Sequence, residues 1–184
     1  MREPTVPAQL SKRVPYLEPA AGAAWWTVGC AALGGGSGTV VLAAGLGLTA
    51  AMTVALRRRF GAGAPLPRGA TGRLLRLFGI TVALVAVAAT ALAYFGFGEL
   101  AVPVACAIVG VALLPVSSVL DERALVAAGA VLMVLGAAGA LLALGSAGLL
   151  YPQGVVGLVA GAVLWTVGAY RTGMLADLRG GIRR

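Results

Sequence analysis

An all-α, polytopic bundle of six transmembrane helices, with the N-terminus and the C-terminus both cytoplasmic, is the fold this sequence predicts. Three observations carry that expectation. First, 60% of the 184 residues are hydrophobic and only 11% are charged, against about 45–50% and about 25% in ordinary soluble domains. A soluble fold of this size could not hide so much apolar surface. Second, the mean hydropathy is +0.97, and the apolar residues fall into stretches near the roughly 20 residues that one crossing requires. Third, with six crossings and an internal N-terminus, all 14 basic residues fall in the tails and loops of one side. That is the asymmetry the positive-inside rule describes.

Taken in order, residues 1–19 form a cytoplasmic tail. Pro4, Pro7, Pro15 and Pro19 forbid a long regular helix, which leaves at most a short amphipathic piece around Leu10–Val14. The transmembrane domain covers 20–171, with helices expected over 20–35, 38–56, 74–97, 99–120, 123–145 and 152–171. Residues 172–184 are a basic cytoplasmic tail. Helix 1 is the weakest span, because Val28, Leu33 and the Trp pair are its main inserting residues and each Leu or Val contributes only about −0.3 to −0.6 kcal/mol. Helices 1 and 2 are expected to enter as a hairpin, turning at Gly34-Gly-Gly-Ser-Gly38. Thr27-Val-Gly-Cys30 only partly resembles a lipoprotein cleavage site, since Thr27 stands where a Leu-like residue belongs.

Small residues recur along the helices. Gly154, Gly161 and Gly168 are spaced by seven, Gly157 and Gly161 by four, and Gly129/Gly136 and Gly38/Gly45 by seven. Such spacing lets helix backbones approach closely. Trp26 and Trp165 fall at similar depths from the cytoplasmic ends of helices 1 and 6, so these two helices are expected to be neighbours. The phrase Trp-Thr-Val-Gly recurs at 26–29 and 165–168. A three-plus-three inverted repeat would pair helix 1 with helix 4, so the phrase does not support that duplication.

The sequence argues against most membrane catalysis. It has no His, so a serine nucleophile lacks its usual base and a zinc site lacks its commonest ligand. Cys30 and Cys106 both sit in apolar stretches and read as small packing residues. The acids Glu3, Glu18, Glu99, Asp121, Glu122 and Asp177 all fall outside the middle of the expected spans, whereas proton and cation carriers keep a buried acid on their path. No cofactor and no enzymatic activity are expected. The arginine-rich 57–73 loop lacks the Gly-x-x-x-x-Gly-Lys phosphate loop, and its charge speaks for membrane orientation rather than nucleic acid. Arg57, Arg58, Arg59, Arg73 and Arg76 are candidate contacts for anionic lipid headgroups at the cytoplasmic face, each worth about 1 kcal/mol near the surface.

The most functional-looking stretch is in helix 4. Pro115 removes a backbone donor and leaves the carbonyl of Val111 without its usual partner, and Ser117 and Ser118 add hydroxyls. Val111, Pro115, Ser117 and Ser118 are therefore the candidate solute path, neutral in charge and without proton coupling. Gly110-x-x-x-x-Pro115, the order of the elements, and Arg13-Val-Pro-Tyr16 before helix 1 resemble a family of small six-span bacterial membrane proteins. That family often carries a His two residues after the helix 4 glycine, where this chain has Ala112, and it implies no activity to transfer. Its habitat, and a composition typical of GC-rich bacteria (one Lys, no Asn), place the chain in the bacterial cytoplasmic membrane. The function expected is that of a non-enzymatic integral membrane helix bundle, self-packing as a homo-oligomer or binding a partner membrane protein. The alternative is a small transporter or channel for a neutral or lipid-like solute.

Overall fold

The computed structural model describes residues 14–33, 35–61, 63, 68–145 and 151–174. Those residues are helical apart from short turns, and among them there is no strand. Six α-helices follow one another: α1 (Leu17–Leu33), α2 (Gly35–Phe60), α3 (Ala70–Tyr94), α4 (Ala101–Leu120), α5 (Arg123–Gly145) and α6 (Tyr151–Arg171). A 3-10 turn, Gly98–Leu100, leads into α4. Five stretches, Gly36–Phe60, Ala70–Tyr94, Gly98–Leu120, Arg123–Gly145 and Pro152–Arg171, are long and apolar enough to cross a membrane. The sixth helix, α1, has 17 residues, a length of about 26 Å at 1.5 Å per residue.

Several boundaries differ from the sequence expectation, each for a local reason. Helix α1 begins at Leu17 rather than 20, because Pro19 sits in its first turn, where a missing N–H costs nothing. Helix α2 extends in both directions past 38–56. Its glycines tolerate the close turn, and Arg57, Arg58 and Arg59 in its last turn complement the negative end of the helix dipole. Helix α3 runs from Ala70 to Tyr94 instead of 74–97. Gly96, with φ 79, ends it: Phe97 N–H reaches Leu92 O at 2.7 Å and Gly96 N–H reaches Ala93 O at 3.2 Å, a Schellman closure. Asp121 ends α4 in the left-handed region, φ 56. The 4–5 turn and α5 lie where the sequence put them. The Leu10–Val14 piece falls almost wholly outside the described residues, as does most of the C-terminal tail.

The helices pack as two tight pairs, α1 with α6 and α4 with α5, joined mainly through α5 and α6. Small residues make both seams. A Cβ placed on Gly157 would stand 2.5 Å from Gly29 N, and one on Gly161 would stand 2.9 Å from Gly22 O. Gly110 and Gly129 face one another across the other pair, and Gly136 faces Pro103 and Ala107. The glycine spacings therefore mark helix seams. Trp26 and Trp165 meet as expected, with ring centroids 4.9 Å apart. Trp165 is buried, while Trp26 donates its indole N–H to Val41 O at 2.8 Å and so ties α2 to α1. The core between the pairs is Trp25, Cys106, Leu132, Val156, Ala160 and Leu164. Helix α2 packs against α1, and α3 against α4, at the two margins of the bundle.

Candidate functional site

Two features stand out: a cluster at the end of the bundle where α1 begins and α6 finishes, and a groove that runs from that end along α3 and α4. The first is a buried charge cluster. Arg171 Nε lies 2.7 Å from Glu18 Oε1, and Arg171 Nη2 donates to Glu18 Oε2 at 2.9 Å. Both side chains are 1% exposed. Nη2 also donates to the carbonyl of Val14 at 3.0 Å, and Nη1 stands 3.6 Å from Glu122 Oε1. One guanidinium thus joins the start of α1, the end of α6 and the α4–α5 turn. Gly168 makes room for it, since a Cβ there would stand 3.1 Å from Glu18 Cβ. The sequence reading leaves Glu18 in the N-terminal tail; the structure corrects this to a buried acid in the first turn of α1. Tyr16 closes the same end by donating its hydroxyl to Gly61 O beyond α2.

The second feature is an apolar groove of about 840 Å³ between α1, α3 and α4. Each wall is one helical stripe: Leu17, Ala21, Ala24 and Val28 on α1; Thr71, Leu74, Phe78, Val85 and Ala89 on α3; Ala105, Val109, Ala112 and Val116 on α4. Trp25 and Leu164 from the core lie at its floor, and Glu18 with Thr71 marks its charged end. Thr81, midway along α3, gives its hydroxyl to Leu77 O at 2.8 Å. The groove therefore offers polar groups at one end and hydrocarbon along the rest. Ala112 lines it. The sequence reading does not find this groove.

None of the residues expected to form a solute path lines the groove. Val111, Pro115 and Ser118 are exposed on the outside of α4, while Ser117 is buried. Neither hydroxyl is spare: Ser117 Oγ donates to Leu114 O at 2.7 Å, and Ser118 Oγ to Pro115 O at 2.8 Å. Helix α4 runs unbroken through Pro115. The expected lipid contacts do share one end of the molecule. Arg57, Arg58 and Arg59 close α2, Arg73 and Arg76 open α3, and all five are exposed. Arg68 and Arg123 are exposed at that end too. Among the described residues no group of three or more His, Cys, Asp or Glu is placed to hold a metal. Comparison with models of known families, with characterised proteins and with solved structures gives no match.

Proposed function

We propose that this chain is a non-enzymatic, multi-pass protein of the bacterial cytoplasmic membrane that works by binding, holding a membrane-embedded component in the groove between α1, α3 and α4. All six helices cross, and both ends face the cytoplasm. The single observation that carries the binding role is the groove itself, whose walls are almost wholly apolar over their length. A hydrocarbon surface of that kind suits a ligand delivered from the bilayer rather than from water. The orientation rests on charge. The described arginines of α2, α3, α5 and α6 gather at the α1-start end, and cytoplasmic loops are the ones that carry such an excess. The absence of His from the sequence supports a non-catalytic role.

Orientation is checked by single cysteines at Ser37 and Gly98, which should react with an impermeant reagent from outside, while tags at both termini stay protected. An external N-terminus would overturn the six-span reading. Binding is checked by mild extraction of the wild type and of Ala24→Phe/Ala112→Phe, which fills the groove from α1 and α4. The wild type should carry a membrane component that the filled variant loses. Identical lipid and protein content in both would sink the binding role.

A further inference from the structure

We infer that the groove takes an anionic glycerophospholipid from the cytoplasmic leaflet, its headgroup at the start of α3 and an acyl chain running inward between α1, α3 and α4. This rests on the binding role proposed above and names its ligand. Shape and polarity define the tail. From Thr71 to Ala89 the groove covers eighteen residues of α3, about 27 Å at 1.5 Å per residue; its first half, down to Thr81, takes up about 15 Å, the depth of one leaflet of a hydrocarbon core of about 30 Å. Over that leaflet depth the walls are side chains such as Leu17, Ala21, Leu74, Phe78 and Val116. A polar solute would find few partners there, because the walls are hydrocarbon and the Thr81 hydroxyl already donates its proton to its own helix.

Charge complementarity defines the head. At the groove's polar end Glu18 and Glu122 are both engaged with Arg171. Asp121 is the remaining described acid at that end, set against the exposed Arg57, Arg58, Arg59, Arg68, Arg73, Arg76 and Arg123. The surplus is therefore positive where a headgroup would sit. Helix α3 starts at the same place with Gly69 as its cap and no side-chain hydrogen bond to its first turn. The first N–H groups of a helix have no partner within it, and its dipole favours an anion there. Arg68 and Arg73 flank that turn, and Arg123 stands two residues from the groove residue Leu125. At the far end, among the described residues, Glu99 is the nearest charge to the groove residue Ala101, which would repel the same headgroup and so fixes the ligand's direction.

The test is native mass spectrometry of the full-length protein in neutral detergent, with phosphatidylglycerol or phosphatidylcholine of identical acyl chains added. Phosphatidylglycerol should be retained and phosphatidylcholine not. Ala24→Phe/Ala112→Phe should lose it. The surface triple Arg68→Gln/Arg73→Gln/Arg123→Gln, which leaves the packed seams untouched, should weaken retention on the order of a hundredfold, at about fivefold per arginine. Ala83→Phe, on α3 away from the groove, should retain it fully. Equal retention of the two lipids, retention by the filled variant, or an unchanged triple variant would each overturn the assignment. A protein helix crosslinked into the groove, with no lipid retained, would overturn the lipid while leaving the binding role standing. The binding role itself fails only if filling the groove removes nothing at all.

Discussion

One methyl group on the α1–α6 seam should destabilise the protein, while the same methyl group on α3 should stabilise it. A Cβ on Gly157 would lie 2.5 Å from Gly29 N and 2.6 Å from Gly29 Cα. Both neighbours are backbone atoms, which cannot rotate aside. Favourable separation between such atoms is about 3.5–4.0 Å, so Gly157→Ala must push the two helices roughly 1 Å apart at that level. The same seam holds Gly22 against Gly161 and Glu18 against Gly168, and a rigid helix cannot give way at one level alone. Overpacking of this kind costs about 1–3 kcal/mol, offset in part by about 0.5–1 kcal/mol from replacing a mid-helix glycine. The net expectation is a loss of about 1–2 kcal/mol. At Gly79 an added Cβ meets nothing within 4 Å, so only the propensity gain of about 0.5–1 kcal/mol remains. The assay is unfolding of the purified protein in mixed micelles by increasing anionic detergent, followed by helical circular dichroism. Equal shifts for Gly157→Ala and Gly79→Ala, or a stabilised Gly157→Ala, would refute the close-seam reasoning.

The charge cluster gives a second expectation. Glu18→Gln leaves the buried guanidinium with Glu122, 3.6 Å from Nη1, in place of its closest counter-charge, at a cost below the roughly 3–5 kcal/mol of a fully broken buried pair. The double variant Glu18→Gln/Arg171→Gln should lose less than the sum of the two single changes, as a double-mutant cycle would measure. The interaction should also be nearly insensitive to salt, because both side chains are 1% exposed and buried pairs are weakly screened; a coupling that vanishes in high salt would contradict the observed burial. Finally, Ser117→Ala and Ser118→Ala each remove a hydroxyl bonded to its own helix, so lipid retention by the groove should stay at the wild-type level. A loss of retention in either would return the α4 surface to consideration as a binding path.

Much of the architecture was legible because lipid imposes simple rules. Apolar length fixed where α3 to α6 lie, to within a few residues, and glycine spacing marked the seams. The layer shared by Trp26 and Trp165 also bears on a pair, Glu18 and Arg171, that the sequence reading does not bring together. Glu18 and Arg171 stand eight residues before Trp26 and six after Trp165. In antiparallel helices whose Trp residues share a layer, those positions fall about 12 Å and 9 Å from it, on the same side, and must come close. That signal was present, but Pro15 and Pro19 argued that the helix had not yet begun at Glu18. The groove was harder to see. On α3 the residues facing the groove and those facing lipid are both apolar, so no periodicity separates them. On α4, Pro115 drew attention to the outer face because proline is conspicuous, whereas the groove face of alanine and valine is not.

The groove follows from where the chain spends its small residues. In lipid no hydrophobic drive closes a gap between helices, so a close seam needs side chains small enough to let backbones touch. Helices α1, α4, α5 and α6 have them at the contact positions: Gly29 meets Gly157, and Gly110 meets Gly129. Helix α3 does not. Its glycines, Gly72 and Gly79, meet nothing within 4 Å, and its inward stripe carries Leu74, Phe78 and Val85. Helix α3 packs on α4, with no comparable packing against α1. Those side chains line the space between α3 and α1, with Arg68 and Arg73 at its polar end. A ligand made of hydrocarbon with an anionic head would fill that space without requiring either helix to move, and would supply to α3 the packing it does not make with α1.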